Sequence, residues 1–257
     1  MAETILTHPF VEGELYETPV VDASHLVTED DTPVDNFFSE RQMDLLIDTL
    51  YASWSGPTAH RPFMAMANVA LYFALRQQPL VPDVLISLDV EPPADVWKKE
   101  NRSYFIWEYG KPPDVVVEIV SNRKGQELGY KLNQYARLGI AYYIVYDPTR
   151  LLSNKTLHVY TWKDARYQES KKTWLPAVEL GVTLWTGAYR GMEATWLRWQ
   201  DEAGHLLLTG QERAAVAEGR AEVAEERAEV AEEQAALERE RAERLAAQLR
   251  ALGVEPE

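Results

Sequence analysis

The chain has 257 residues, of which 46% are hydrophobic, and it contains 8 Trp, 13 Tyr and 6 Phe, which supports a packed core and excludes a wholly disordered protein. It has no cysteine, which excludes disulfides, cysteine nucleophiles and thiolate metal sites and makes the cytoplasm the expected location. The net charge of -15 divides into -10 over residues 1–40, +1 over 41–208 and -6 over 209–257, so acidity at the two ends does not exclude a polyanionic substrate for the middle.

The first 35 residues are acidic and polar, and three prolines interrupt any periodicity. They are predicted to be an acidic N-terminal arm, and the absence of basic residues before Arg41 is not typical of a signal peptide. The pattern changes at Ser39, where Ser39 and Gln42 match a capping box and apolar residues follow at helical spacing. These features predict an amphipathic helix over about 40–54, ended by Gly56 and Pro57.

Short apolar runs rich in β-branched and aromatic residues then predict strands. They are 63–75 (one or two strands), 84–88, 103–107, 114–121, 142–147, 157–162, 166–173 and 182–199. A helix is predicted over about 126–138, which completes a strand–helix–strand unit. The run at 63–75 is shorter than the roughly 20 residues that a bilayer crossing needs, so no membrane association is expected. Together these elements predict an α/β fold with a mixed central sheet flanked by helices, in a domain over residues 36–205.

The C-terminal part is a seven-residue repeat. Thr209 and Glu212 match a second capping box, and the units RAAVAEG, RAEVAEE, RAEVAEE and QAALERE follow from residue 213. This pattern predicts one long charged helix over 209–252. Each heptad has a single large apolar residue flanked by alanine, so a solvated single helix or a weak self-association tail fits better than a specific docking helix. A coiled coil and a homodimer stay open.

Two Pro-Asp sequences mark the candidate site. VPDVLISL places Asp83 at the head of one strand, and PPDVVVEIVS places Asp114 at the head of the next strand with Glu118 inside it. A carboxylate in so apolar a strand is expensive to bury without a metal, a cation or a donor. Asp83 is placed to converge with Glu118, and two converging carboxylates suit Mg²⁺. For Asp83 and Asp114 the alternative is a turn at the start of a strand, which we favour for Asp114.

A lysine near these carboxylates is the third expected group, because it can stabilise an attacked phosphate or position water. Lys124 lies in the turn after the strand, and Lys131 lies on the predicted helix beside its buried stripe. We favour Lys131, with a solvated helix residue as its alternative role. Residues 98–137 hold eight basic and five acidic residues, which favours a polyanion there. The five histidines show no spacing that predicts a metal site or a Ser–His relay.

The order of Asp83 and Glu118 on adjacent strands, followed by a helix, resembles the PD-(D/E)XK nuclease superfamily. The blocks PDVLISL, WEYGKPPDVVVEIVS, KLNQYARLGIAYYIVYDP and VELGVTLW lie within residues 60–200. They resemble one branch of that superfamily, the Uma-type (Uma-two) family of restriction-endonuclease-like proteins.

The resemblance implies a restriction-endonuclease-like fold and a metal-dependent endonuclease, with Mg²⁺ or Mn²⁺ as cofactor and nucleic acid, DNA in the first place, as substrate. Asp83 and Glu118 match the metal-binding residues of the superfamily. Val120 stands where its signature has lysine, and Lys131 matches a variation in which the lysine has moved to the following helix. The implied catalytic residues are therefore Asp83, Glu118 and Lys131. The alternative is a nuclease fold without turnover that binds or assembles through its C-terminal helix.

Overall fold

A six-stranded mixed sheet forms the centre of the computed structural model, which describes residues 36–58, 61–74, 77–95, 97–98 and 101–251. The predicted acidic arm, residues 1–35, lies outside the described residues. The helices are α1 (Phe37–Ser53), α2 (Ile106–Tyr109), α3 (Leu132–Leu138, preceded by a π turn at Glu127–Lys131) and α4 (Gly210–Ala251). The strands are β1 (Phe63–Ala67), β2 (Leu71–Tyr72), β3 (Val84–Leu88), β4 (Tyr104–Phe105), β5 (Val115–Ile119), β6 (Tyr142–Tyr146), β7 (Leu157–Lys163), β8 (Arg166–Glu169), β9 (Trp174–Leu175), β10 (Leu180–Tyr189) and β11 (Met192–Gln200).

The main sheet has the strand order β1-β3-β5-β6-β7-β8. Only β5 and β6 are parallel, and the π turn and α3 connect them, as the predicted strand–helix–strand unit requires. Two smaller sheets accompany it, an antiparallel β11-β10-β9 sheet and a parallel β2-β4 pair. The predicted mixed α/β fold is confirmed.

Both faces of the main sheet are covered, and β5 shows the division. Val115, Val117 and Ile119 belong to a core cluster that α1, β10 and β11 complete on one side. Val116 and Val120 belong to a second cluster on the other side, which α3, β2 and β4 complete. Strand alternation places Glu118 on this second face, so the candidate site lies beneath α3.

The helix predicted at 40–54 is present as α1, but the capping box predicted for Ser39 and Gln42 is wrong. Asn36 is the N-cap, and its side chain accepts a hydrogen bond from the backbone N–H of Ser39. Gln42 instead exchanges two 2.9 Å hydrogen bonds with the backbone N–H and C=O of Leu197. Leu197 belongs to β11, which is an edge strand, so its free backbone groups need partners, and the amide of Gln42 supplies both a donor and an acceptor.

Two further predictions are corrected at the element ends. The run 103–107 is a strand only at β4, and it continues as α2. The helix predicted over 126–138 begins with five residues of π helix rather than α-helix. By contrast, the capping box of Thr209 and Glu212 is confirmed by reciprocal hydrogen bonds of 2.7 and 3.1 Å, and α4 runs from Gly210 to Ala251 with no buried residue.

Among the described residues, no helix is both long and apolar enough to cross a membrane.

Replacement of Gln42 by Ala is expected to lower the free energy of unfolding by about 3 kcal/mol, because it leaves a buried N–H and a buried C=O of Leu197 without partners. Chemical denaturation followed by circular dichroism measures the change. The matched control is Gln234→Ala on the exposed surface of α4, which should stay within about 0.5 kcal/mol of the parent. Equal effects of the two substitutions would contradict the structural role assigned to Gln42.

Candidate functional site

A row of polar groups crosses three neighbouring strands at one end of the main sheet. In the antiparallel register of β3 and β5, Val84 lies opposite Val117, so Asp83 and Glu118 form the next pair. The Asp83 carboxylate accepts a hydrogen bond from the backbone N–H of Ile119. On the other side, the backbone N–H of Asn68, directly after β1, donates to the carbonyl oxygen of Asp83 at 3.0 Å. Asp83 therefore links the ends of three strands.

Glu118 is the buried centre of this row, with 1% of its surface exposed. Its Oε2 accepts a 2.7 Å hydrogen bond from the Lys131 ammonium, and its Oε1 accepts a 2.7 Å bond from the Tyr135 hydroxyl. Lys131 ends the π turn and Tyr135 lies in α3, four residues later, so both side chains project from the same helical face. Each oxygen of the buried carboxylate thus has a strong donor.

The local electrostatics fix the protonation of both donors. Burial alone would lower the pKa of the Lys131 ammonium, but the Glu118 carboxylate outweighs burial and the pKa is raised above its ordinary value. Lys131 is therefore a cation at neutral pH and not a proton acceptor. Complete burial, reinforced by Glu118, raises the pKa of Tyr135 well above its ordinary value, so this hydroxyl remains a hydrogen-bond donor.

Glu127 is a third carboxyl group here that the sequence analysis missed. It is 5% exposed, and its Oε2 is buried with no hydrogen-bond partner in the part of the chain that the structure describes. Burial raises the pKa of this carboxyl, and repulsion from Glu118 adds to the rise. A Cβ on Gly125 would lie 1.9 Å from its Oε1, so a side chain at residue 125 would displace this carboxyl group. The spacing of Glu127 four residues before Lys131 is the sequence signal that could have indicated it.

A family model matches most of the chain. The Uma2 family model, described as "Putative restriction endonuclease", matches residues 6–188, which include Asp83, Glu118 and Lys131. The chain belongs to the Uma2 family. No curated protein and no solved structure gives a match. The Uma2 match ends before α4, and its description places the family among restriction-endonuclease-like nucleases, whose substrate is nucleic acid.

Within this Uma2 chain, the structure brings Asp83, Glu118 and Lys131 together, and it separates the two alternatives from them. Lys124 is exposed in the loop after β5, where its backbone N–H donates to Asn122. Asp114 lies at the opposite end of β5, where it pairs with Lys111 and accepts the backbone N–H of Leu88. Asp114 therefore has a structural role at the start of β5, through an ion pair, whereas the sequence favoured a turn there. The catalytic roles of Asp83, Glu118 and Lys131 stay predictions.

The donor chemistry of the site suits a hard divalent cation. Over the described ranges, no group of three or more Asp, Glu or His side chains is arranged to hold a metal ion by itself. Asp83 and Glu118 nevertheless offer two carboxylates from adjacent strands, and Mg²⁺ in phosphoryl-transfer sites is usually held by one or two carboxylates together with substrate phosphate and water. Glu127 lies close enough to Glu118 for the two carboxyl groups to repel each other, but it does not complete a metal-holding group within the described ranges. The residues present therefore fit Mg²⁺ or Mn²⁺.

One hydrogen-bonded histidine lies outside this site and was not expected from the spacing of the histidines. His158 on β7 has Nε2 2.9 Å from the Ser153 hydroxyl and Nδ1 2.9 Å from the Glu169 carboxylate. Lys155 binds the same Glu169 oxygen through its ammonium and donates its backbone N–H to the Ser153 hydroxyl. The hydroxyl and the carboxylate are thus engaged in a network that ties β7 to β8 and the preceding loop.

Replacement of Lys131 by Met is expected to lower the free energy of unfolding by about 3 kcal/mol, because it leaves Glu118 as a buried carboxylate without its counter-ion. Thermal or chemical denaturation of the purified variant measures this. The control is Lys155→Met, which breaks an exposed ion pair and should cost less than about 1 kcal/mol. The double variant Lys131→Met/Glu118→Gln should be more stable than Lys131→Met alone, and a lack of recovery would contradict the burial argument.

Proposed function

We propose that this Uma2 protein is a Mg²⁺-dependent endonuclease that hydrolyses phosphodiester bonds of DNA. The single observation that carries the proposal is the buried Glu118 carboxylate, which lies opposite Asp83 in the strand register and is held by the Lys131 ammonium. A polar group this deep in an apolar sheet face is expensive to maintain, and membership of the Uma2 family supports a nuclease as the reason for its presence.

Asp83 and Glu118 are the residues that would hold the metal ion. When bound, Mg²⁺ supplies Lewis-acid polarisation of the phosphate and lowers the pKa of water. The chain's own contribution is to fix the two carboxylates in place. The backbone N–H of Ile119 holds the Asp83 carboxylate, and the hydroxyl of Tyr135 holds the Glu118 carboxylate, so both have a defined orientation.

Lys131 is assigned the electrostatic role. Its side chain is 23% exposed although it contacts the buried Glu118, so the ammonium lies between the core and the solvent. Because its pKa is raised, the ammonium keeps its charge at neutral pH and would stabilise the negative charge that develops on the attacked phosphate. The lysine thereby replaces the one that the superfamily signature has at the position of Val120.

The surroundings of the site also favour a polyanionic substrate. Arg123 and Lys124 are exposed in the loop that follows β5, directly after the strand that carries Glu118. Residues 41–208 carry +1, although the whole chain carries -15. A nucleic-acid backbone that approaches this loop therefore meets two cations before it reaches the carboxylates.

The proposal predicts cleavage of DNA that depends on Glu118 and on Mg²⁺ or Mn²⁺. The full chain is incubated with supercoiled plasmid or with single-stranded circular DNA, in Mg²⁺ or Mn²⁺ and, as the metal-free control, in EDTA. The products are separated by agarose gel electrophoresis. Glu118→Gln should reduce the cleavage rate by at least about 100-fold, because it removes a charged metal ligand without changing the shape of the side chain. Glu169→Gln, on the far edge strand β8, is the matched control and should cut at the parental rate.

Equal cleavage by the parent and by Glu118→Gln would assign the activity to a contaminant, and no cleavage by either protein would contradict the proposal.

A second candidate function is assembly through α4, without turnover. The helix has 42 residues, none of them buried, and Val216, Val223, Val230 and Leu237 form an exposed apolar stripe at seven-residue spacing. A stripe of this kind is typical of a helix that pairs weakly with a second copy. This candidate explains the length of α4, which the nuclease proposal does not use.

A chain that ends at Ala215 tests the assembly candidate. Its core should unfold within about 0.5 kcal/mol of the parent, because the truncation keeps the Arg198–Glu212 ion pair and, among the described residues, removes none that is buried. Sedimentation equilibrium should give a dimer for the full chain and a monomer for the truncated chain. If both chains sediment with the same number of subunits, α4 is not an assembly device.

A further inference from the structure

Three aromatic side chains form a partly exposed ladder on the small β2-β4 sheet. The rings of Tyr72 and Phe105 stack with centroids 4.8 Å apart and an interplanar angle of 20°. Trp107, in α2, tilts against Phe105 at 5.1 Å and has 44% of its surface exposed. We call Tyr72, Phe105 and Trp107 the aromatic ladder.

The ladder lies on the same side of the main sheet as the candidate site. Leu71 and Tyr104, the neighbours of the ladder residues in β2 and β4, point inward and belong to the core cluster that contains Tyr135, the residue that donates to Glu118. The backbones of Leu71 and Leu80 exchange two hydrogen bonds of 2.7 and 3.1 Å. This pair attaches β2 to the segment that leads, three residues later, into Asp83.

Packing does not account for the outer faces of the ladder. Its inward neighbours already complete the buried cluster, whereas all three ladder residues retain exposed surface. Large aromatic rings that are exposed together on one surface are unusual in a monomeric domain and mark a binding surface. Flat faces of this kind match the flat faces of nucleobases, and such stacking tolerates any base sequence.

The exposed charges in the segments around the ladder and the site favour an anionic ligand. Among the described residues from 97 to 124, four exposed side chains are basic, Lys98 and Arg102 before β4 and Arg123 and Lys124 in the loop after β5, and one, Glu108, is acidic. The Arg102 guanidinium also donates to the carbonyl oxygen of Trp97. Cations on both segments suit a phosphate backbone. The bases of a duplex are stacked on one another and cannot lie on protein rings, whereas the bases of a single strand can.

We propose that the aromatic ladder is a stacking platform for unpaired bases, and that the substrate of this protein is single-stranded nucleic acid or the unpaired part of a longer molecule. The inference rests on the proposed nuclease function for the choice of nucleic acid as ligand, but it concerns binding and not cleavage. A strand that stacks on the ladder would lie on the same side of the main sheet as the Asp83–Glu118 pair.

The test is fluorescence anisotropy of a labelled single-stranded 20-mer, and of the same 20-mer in a duplex, with the full chain in EDTA so that no cleavage occurs. The parent protein should bind the single strand more tightly than the duplex. Trp107→Leu, which keeps an apolar side chain but removes the ring, should weaken single-strand binding by about tenfold, and Trp107→Phe should largely restore it. Phe37→Leu, on the helix that covers the opposite face of the sheet, is the matched control and should bind as the parent does.

A preference of the parent for the duplex, no binding of the single strand, or equal affinities of Trp107→Leu and Trp107→Phe would overturn the platform. The outcome is separable from that of the proposed function. If Trp107→Leu binds the single strand more weakly but the parent shows no metal-dependent cleavage, the stacking platform is supported and the nuclease proposal is contradicted. If cleavage depends on Glu118 but Trp107→Leu binds the single strand as tightly as the parent, the nuclease proposal is supported and the stacking platform is contradicted. Single-stranded RNA of the same sequence, as a further probe, distinguishes the two sources of unpaired bases.

Discussion

The neutralisation of one buried carboxylate is the constraint on which the rest of this structure depends. Glu118 lies in a strand whose five residues are all buried, and such a position excludes a charge unless donors reach it from the protein itself. Lys131 and Tyr135 supply those donors from the same helical face, so the π turn and α3 must pack on this face of the sheet in one orientation. The site and the packing of α3 on the sheet are consequently one structural unit, and a change that displaces the helix leaves a charge unpaired in the core.

The opposite face of the sheet forms an apolar core. It packs against α1 and the β10–β11 hairpin through apolar side chains, and the amide of Gln42 connects that helix to the buried edge of β11 at Leu197. The carboxylates of Asp83 and Glu118 lie on the other face. The end of that face, where Asn68, Asp83 and Glu118 follow one another across three strands, combines a buried acid with a half-exposed acid and an exposed asparagine. This gradient from core to solvent is what a site for a charged substrate requires.

Local patterns in the sequence were sufficient for much of this arrangement, and the reasons for the failures are specific. Glu118 was identified because a carboxylate interrupts a β-branched strand, and Lys131 because it flanks a helical stripe; both signals are local. The partner of Gln42 is 155 residues away, so the sequence favoured a nearby cap that Asn36 provides instead. Glu127 was missed because its burial depends on the π turn, and hydrophobic periodicity does not distinguish a π turn from the first turn of an α-helix. The strand predicted at 103–107 ends early because only Leu71 and Tyr72 pair with it, and a two-residue partner cannot support a longer ladder.

The length of α4 places its last turn far from its first turn. A continuous α-helix of 42 residues extends about 63 Å, several times the radius of gyration of a domain of this size. Its first turn is anchored by the ion pair of Arg198 and Glu212, and among the described residues the rest of the helix has no buried side chain. The distance between the first and the last turn of α4 is therefore set by the number of heptads in the helix.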